Sequence, residues 1–370
     1  MTRLNDLYSQ HGQSPWIDNL KRSYITDGEL AQLMKDGVRG VTSNPTIFEK
    51  AITAGNAYDE QFGELAQNNS VEDSFWELVI KDVSDACDIM EPMYKSSGGN
   101  DGFVSIEVSP SLALESKATE EAARDLHTRI NKNNLMVKIP ATEAGIAPIQ
   151  QMISEGRNVN VTLIFSLERY EKVIDAYIDG VEAYSNTGAT DLDKINSVAS
   201  FFVSRVDTEV DRRLESIGSD EALAMRGKAA VAQAQAAYGL FLEKFNTDRW
   251  KALAEKGAKV QRPLWASTST KNPDYPDTLY VDALIGPNTV NTMPDAVVEK
   301  FNDHGTVSRT VDSDIEGARG QLAKLAEVGV DIADVGVTLE NEGVASFTKS
   351  YDDLLQVLTD KYEALREARS

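Results

Sequence analysis

Lys138 lies inside the run Leu135-Met136-Val137-Lys138-Ile139-Pro140. A charged amine in the middle of an apolar strand is an unfavourable choice unless it has a task. An exposed lysine titrates at about 10.4 and is no nucleophile at neutral pH. Apolar burial penalises the charged form, and a neutral amine can attack a carbonyl to form an imine. A protonated imine withdraws electrons from the adjacent carbon–carbon bond, so an aldol bond can open without a metal. The metal-dependent route is disfavoured by composition: His11, His127 and His304 show no ligand spacing, and Cys87 is the only cysteine. No metal and no cofactor are therefore expected.

Other residues able to do chemistry recur at the ends of neighbouring apolar runs. They are Asp18, Asn44, Glu107, Asn160, Thr162, Ser200, Arg205 just beyond, and the group Ser267, Ser269 and Lys271. Each has an ordinary structural reading. Asp18 fits a helix cap, Asn44-Pro45 a turn, Glu107 with Lys138 a buried ion pair, and Arg205 with Glu209 a surface pair one helical turn apart. Thr162 and Ser200 fit bonds to nearby backbone. Taken singly, most favour that reading. Polar groups within strands cost about 1–3 kcal/mol each if unsatisfied, so several at similar depth on different strands point to a shared polar pocket.

The elements that must position them follow from the apolar pattern. Eight short β-rich runs occur, at 14–20, 37–44, 102–109, 135–141, 158–166, 195–204, 262–268 and 279–286. They are nearly continuous in apolar residues, as strands buried on both faces should be. Helical stretches separate them. Thr26-Asp27-Gly28-Glu29 has the form of a capping box with Gly37 as the stop. Phe75, Val79, Val83, Cys87, Met90 and Tyr94 mark one face of a helix over 71–95. Thr119 and Ser166 precede further helices. The stretch 208–256 reads as two helices broken near Asn246, and 345–368 as a terminal helix packing back on the body. The 51–70 and 286–310 stretches read as long connections, excursions or lids.

Eight strand–helix units imply a parallel sheet, which closes most naturally as an α/β (β/α)8 TIM barrel over 1–370 with helical additions at both ends. The rival, an open doubly wound sheet, should carry a glycine-rich phosphate loop after an early strand, and neither GxGxxG nor GxxxxGK[ST] is present. In a barrel, chemistry sits at the C-terminal strand ends, where the polar residues named above fall.

The net charge is −22, from 37 basic and 59 acidic residues. Such a field repels nucleic acid and anionic membrane, so neither is an expected partner. An anionic substrate must be captured by a local basic pocket. A lone Cys87 suits a reduced, cytoplasmic setting and a core position rather than a nucleophile. The N-terminal MTRLNDLYSQ lacks the apolar core of a signal peptide. No run approaches the ~20 apolar residues of a membrane-spanning helix.

Two long motifs, G-V-T-S-N-P-T-I-F (40–48) and L-M-V-K-I-P-A-T-E-A-G-I (135–146), resemble the two signatures of the transaldolase family. E-V-S (107–109), N-V-T-L-I-F-S (160–166), S-F-F-V-S-R (200–205) and E-G-V…F (342–347) match in order, so the resemblance spans essentially the whole chain and suits a longer bacterial-type subgroup. It implies a barrel of the class I aldolase type. It also implies transfer of a dihydroxyacetone unit from sedoheptulose 7-phosphate to glyceraldehyde 3-phosphate, giving erythrose 4-phosphate and fructose 6-phosphate in the non-oxidative pentose phosphate pathway. By that resemblance Lys138 forms the Schiff base. Glu107 works through a water that Thr162 positions, and Asp18 moves the sugar hydroxyl proton. Asn44, Asn160 and Ser200 hold the dihydroxyacetone part, and Arg205 binds phosphate. The partners implied are sugar phosphates, with the chain a monomer or homodimer.

Two departures stand out. Pro148 follows the lysine signature where a small residue is usual, and is expected to delay the next helix. The stretch A-S-T-S-T-K-N (266–272) replaces a shorter A-S-x-R-N, so Lys271, Ser267 and Ser269 must substitute for a second phosphate arginine. Two alternatives stay open: a fructose 6-phosphate aldolase-like enzyme of the same fold, and a barrel that binds sugar phosphates without turnover. Phe202 leans towards the transferase, because relatives acting as aldolases tend to carry tyrosine there.

Overall fold

The computed structural model describes residues 2–367 of the chain. Eight parallel strands close into a barrel in chain order: β1 (Gln13–Ile17), β2 (Gly40–Val41), β3 (Phe103–Glu107), β4 (Leu135–Pro140), β5 (Val159–Ile164), β6 (Ser197–Phe202), β7 (Arg262–Ala266) and β8 (Thr289–Met293). Nearly every strand residue is buried, as a sheet covered outside by helices and filled inside by side chains requires. Closure is made by β1 against β8, from Gln13↔Thr289 to Ile17↔Met293. Trp16 fills the interior and packs against β2, where a β-carbon on Gly40 would come within 2.4 Å of the indole.

The eighth strand is not where the apolar pattern put it. The 279–286 run begins as the short helix Leu279–Asp282. Its buried residues Tyr280, Val281, Leu284 and Ile285 fall at helical spacing. The true β8 lies in the stretch read as a connection, because Thr289, Asn291 and Thr292 make it polar for a buried strand. Their oxygens find partners inside: Thr289 donates to Gly286 O at 2.6 Å, Thr268 donates to Asn291 Oδ1 at 3.1 Å, and Thr292 Oγ1 meets Thr42 Oγ1 at 2.7 Å, while Asn291 Nδ2 is buried without a partner among the described residues. The same stretch also holds the helix Asp295–His304, and the 51–70 stretch holds Asp59–Leu65. Neither is a loose lid.

Helix boundaries differ in detail. Thr26 ends the helix Arg22–Thr26, and the next helix, Glu29–Lys35, starts behind Gly28 in a left-handed conformation with no side-chain cap. The 119 helix begins three residues earlier, at Ser116, and Thr119 instead donates to Leu112 O. Ser166 is an N-cap, accepting from Arg169 N. Pro148 delays nothing, because it sits in the first turn of Ile146–Ser154, where its missing N–H is harmless. The 208–256 stretch contains four helical segments rather than two: Ser204–Ile217, which begins before it, Asp220–Leu223, Ala229–Lys244 and Asp248–Ala254. The break at Asn246 stands.

Two additions frame the barrel. Arg3–His11 packs beside the N-terminal end of β1. Ile332–Glu367 starts well before the expected 345, and residue 368 lies outside the described residues. This long helix crosses the mouth of the barrel near β5. It can pass closely because Gly343 has no side chain: a β-carbon there would meet Leu163 at 3.0 Å.

Candidate active site

The C-terminal strand ends converge as the sequence implied. Parallel pairing puts Glu107 of β3 opposite Lys138 of β4, and Lys138 opposite Asn160 of β5. In-register residues on neighbouring strands point the same way, so these three share one layer inside the barrel. Lys138 Nζ lies 3.0 Å from Glu107 Oε2 and donates to Ser43 O at 3.1 Å. Both side chains are buried, at 5% and 2% exposed. The lysine is thus not in the apolar nest its sequence context implied. Its flanking Val137 and Ile139 turn outward into the core, and its amine faces polar groups.

Asn160 extends the layer in both directions, donating to Ser105 Oγ at 3.0 Å and accepting from Ser200 Oγ at 2.7 Å. One layer nearer the mouth, Asp18 follows β1 and accepts from Thr42 Oγ1 at 2.7 Å, and Thr42 in turn meets Thr292 at 2.7 Å. Thr162 sits two residues above Asn160, beside a register break between Val161 and Ile164 where Leu163 takes φ 58°. A left-handed leucine is a strained conformation that its surroundings must hold. Thr162 Oγ1 is buried without a hydrogen-bond partner among the described residues and lines the cavity. Ser267, after β7, is likewise left-handed at φ 56° and lies 2.8 Å from Ser204.

A cavity of about 140 Å3 links these groups, from Lys138 and Asp18 at its base to Arg205, Ser267, Ser269 and Lys271 at its rim. A second chamber of about 520 Å3 opens beyond it. The two share Asp18, Asn44, Arg205, Lys271, Pro294 and Phe347. Asn44 both lines the cavity and caps the helix Pro45–Thr53, accepting from Ile47 N at 3.0 Å.

The electrostatics are those of an enclosed, under-satisfied site. Burial pushes the Glu107 carboxyl above its ordinary range, with Lys138 opposing. Burial does the same to Asp18, again opposed by Lys138, and nearby Asp295 adds to the rise. Glu107 Oε1 has no hydrogen-bond partner among the described residues. At the rim, burial lowers the Arg205 pKa while Glu342 opposes. The surface pair of Arg205 with Glu209 does not form: Glu209 is held by Arg212 and Arg213, each at 2.7 Å. Arg205 instead lies over Phe202, 5.5 Å from the ring centre, and Phe202 packs on Phe165 at 5.0 Å. Lys271 donates to Ser269 Oγ at 2.6 Å, and its pKa is lowered by burial, Arg205 and Lys50.

Every sequence-derived candidate thus reaches one connected site: Glu107 through its ion pair with Lys138, Asn160 through Ser200, the rest as cavity lining. Several participants were missed. Thr42 and Ser43 stood inside the 40–48 motif without a role. Thr292 lay on the unrecognised strand. Phe347 was in the 342–347 motif, but only the folded C-terminal helix shows that it reaches the cavity. Lys50 and Asp295 carried no local signal.

What the arrangement can do chemically is specific. A buried lysine beside two buried carboxyls can form and resolve an imine, and cations lining the same cavity can hold an anion. The comparisons identify the family. The family model described as Transaldolase/Fructose-6-phosphate aldolase matches residues 15–358. The chain is 50% identical to a transaldolase of Parafrankia sp. (strain EAN1pec) and 48% identical to one of Mycolicibacterium smegmatis, in both cases over 97% of each chain. It is also 50% identical to a transaldolase of Acidothermus cellulolyticus, over 98% of this chain and 97% of the relative. With an eight-stranded barrel, a buried lysine–glutamate pair and matches of this extent, the chain belongs to the transaldolase/fructose-6-phosphate aldolase family.

Proposed function

We propose that this protein is a transaldolase, moving a dihydroxyacetone unit from sedoheptulose 7-phosphate to glyceraldehyde 3-phosphate through an imine on Lys138. The observation that carries the reading is Lys138 Nζ, 3.0 Å from Glu107, at the base of a cavity that also holds Asp18 and is rimmed by Arg205 and Lys271. Lys138 attacks the C2 carbonyl of the donor. Glu107 shuttles protons through a water beside Thr162 while the carbinolamine loses hydroxide as water. Asp18 accepts the C4 hydroxyl proton as the C3–C4 bond breaks, and the bonding electrons pass into the imine to give an enamine. Erythrose 4-phosphate leaves. The enamine then attacks the aldehyde carbon of glyceraldehyde 3-phosphate, Asp18 returns the proton, and water at Glu107 hydrolyses the imine to release fructose 6-phosphate. Asn44, Asn160 and Ser200 hold the dihydroxyacetone hydroxyls, and Arg205 with Lys271, Ser267 and Ser269 holds phosphate.

The reading takes the chain as one barrel domain with helical additions, acting in the cytoplasm as a monomer or homodimer. Among the described residues no helix is long and apolar enough to cross a membrane. A second reading, an aldolase that releases free dihydroxyacetone, is weakened by Phe202: an apolar ring packed between Phe165 and Arg205 has no hydroxyl to orient a hydrolytic water. A coupled assay of transfer between the two phosphosugars decides between the two. Transferase action gives erythrose 4-phosphate and fructose 6-phosphate in equal amounts with little free dihydroxyacetone. Dihydroxyacetone as the main product instead would establish the aldolase reading.

A further inference from the structure

The inner and outer chambers of the site carry different cations. Arg205 and Lys271 line both, whereas Lys50 lines only the outer one. Lys50 is placed there by its helix, Pro45–Thr53, whose start is fixed by the Asn44 cap. One face of that helix, Thr46, Ile47, Lys50 and Ala51, turns to the outer chamber, at the i, i+1, i+4, i+5 spacing of a single helical face. Lys50 is the only charge on it.

Lys21 also lines the outer chamber, but it is already engaged, paired with Glu29 at 3.3 Å and lying over the Tyr24 ring. Lys50 forms no ion pair among the described residues. It is close enough to Lys271 to disfavour that residue's charge. Three like charges at one rim disfavour one another, and the two carboxylates of the same chamber are engaged, Asp295 accepting from Asn19 and Tyr24 and Asp18 from Thr42, so an anion placed among the three cations is favoured.

Resting on the transaldolase reading, we propose that Lys50 is a chain-length determinant, binding the phosphate of the longer, seven-carbon ketose donor. The imine at Lys138 fixes C2 of any donor at the base of the cavity. A six-carbon ketose phosphate then carries its phosphate one carbon nearer that base, towards Arg205 and Lys271, which line both chambers. A donor one carbon longer carries its phosphate outward, towards the chamber that adds Lys50 and the already paired Lys21 to those two. Lysine suits this position: a point charge on a flexible stem follows a phosphate whose place varies, without the fixed geometry of arginine.

The test compares wild type, Lys50→Ala and Lys50→Arg with sedoheptulose 7-phosphate and with fructose 6-phosphate as donors. Lys50→Ala is expected to raise KM for the seven-carbon donor about tenfold, equivalent to about 1.4 kcal/mol, and for the six-carbon donor by no more than about threefold. Lys50→Arg should restore most of the difference, and borohydride trapping with unphosphorylated fructose should not separate the three proteins. Equal increases for both donors, or none for either, would overturn the proposal while leaving the transaldolase reading intact. If wild type itself transfers from neither donor, that reading fails first.

Discussion

Buried carboxylates occur at both ends of this barrel, and they are treated in opposite ways. At the N-terminal end, Asp101 is fully enclosed and fully partnered: Oδ1 accepts from Ser14 at 2.6 Å and Arg262 at 3.1 Å, and Oδ2 from Arg39 at 2.7 Å. Lys259 nearby is likewise occupied, donating to the carbonyls of Gly98 and Gly99, both at 3.0 Å. At the C-terminal end, Glu107 has one oxygen on Lys138 and the other without a hydrogen bond, and Asp18 has a single threonine. A carboxylate that closes its bonds on arginines belongs to the architecture. A carboxylate left short of partners beside a lysine is, on the proposed reading, free to meet groups that arrive with substrate.

The contrast predicts opposite consequences of substitution. Glu107→Gln and Asp18→Asn should each lower transfer by about 10²–10⁴-fold, the usual contribution of a general acid–base group. Stopped-flow measurement should show slowed imine formation in the first and slowed carbon–carbon cleavage with intact imine formation in the second. Near-normal transfer in both would make the upper carboxylates structural and erase the comparison. Asp101→Asn should instead lower stability by about 1–3 kcal/mol in urea unfolding, since it removes the buried charge on which two part-buried arginines close. The loss at Glu107→Gln should be smaller, because Lys138 keeps the Ser43 carbonyl and the nearby Asp18 charge.

The next largest effect concerns the rim. Arg205→Ala should raise KM about tenfold for phosphorylated donors and acceptors, about 1.4 kcal/mol, with unphosphorylated sugars hardly affected. Equal losses on both would mean that Arg205 supports the fold. Arginine is the stronger partner here because it can meet phosphate with two parallel hydrogen bonds.

A further effect is a pH dependence that also separates the ends. His127 packs near Arg157 and Asn158 at the N-terminal end, and burial brings its pKa down to about 4. A histidine buried neutral is protonated more readily when unfolded, at about 6.5. Its stabilising contribution is therefore complete above about pH 6.5. It is lost as pH falls towards 4, at up to about 1.4 kcal/mol per pH unit. His127→Gln should flatten the stability curve in that window. At the other end, the raised Asp18 and Glu107 carboxyls should place the acid limb of kcat/KM above the range of ordinary carboxylates, a limb that His127→Gln should leave in place. A shift of the activity limb in that variant would show the two ends to be coupled.

How much of this was legible in the sequence depended on local contrast. Lys138, Glu107 and Asn160 stood out because polar residues interrupt apolar strands, and register then placed them side by side. β8 was hidden by the same contrast reversed: Asn291 and Thr292 meet Thr268 and Thr42, residues that follow other strands, and Thr289 closes on the carbonyl of Gly286, so the strand looked like a loop. The 279–286 run was apolar enough to look like a strand, although its buried positions have helical spacing. Lys50 and Phe347 could not be read, because what brings them to the cavity is the angle of one helix and the close crossing of another at Gly343.

The central claim is that the upper lysine, and not its occupied counterparts, is the group that reacts. Treatment with fructose 6-phosphate and borohydride, followed by peptide mass analysis, tests it directly. Lys138 should gain one reduced three-carbon unit, with loss of activity and no effect of EDTA, while Lys259 and Lys271 stay unmodified. Labelling at Lys259 or Lys271 with Lys138 untouched, or transfer that requires a metal, would contradict it.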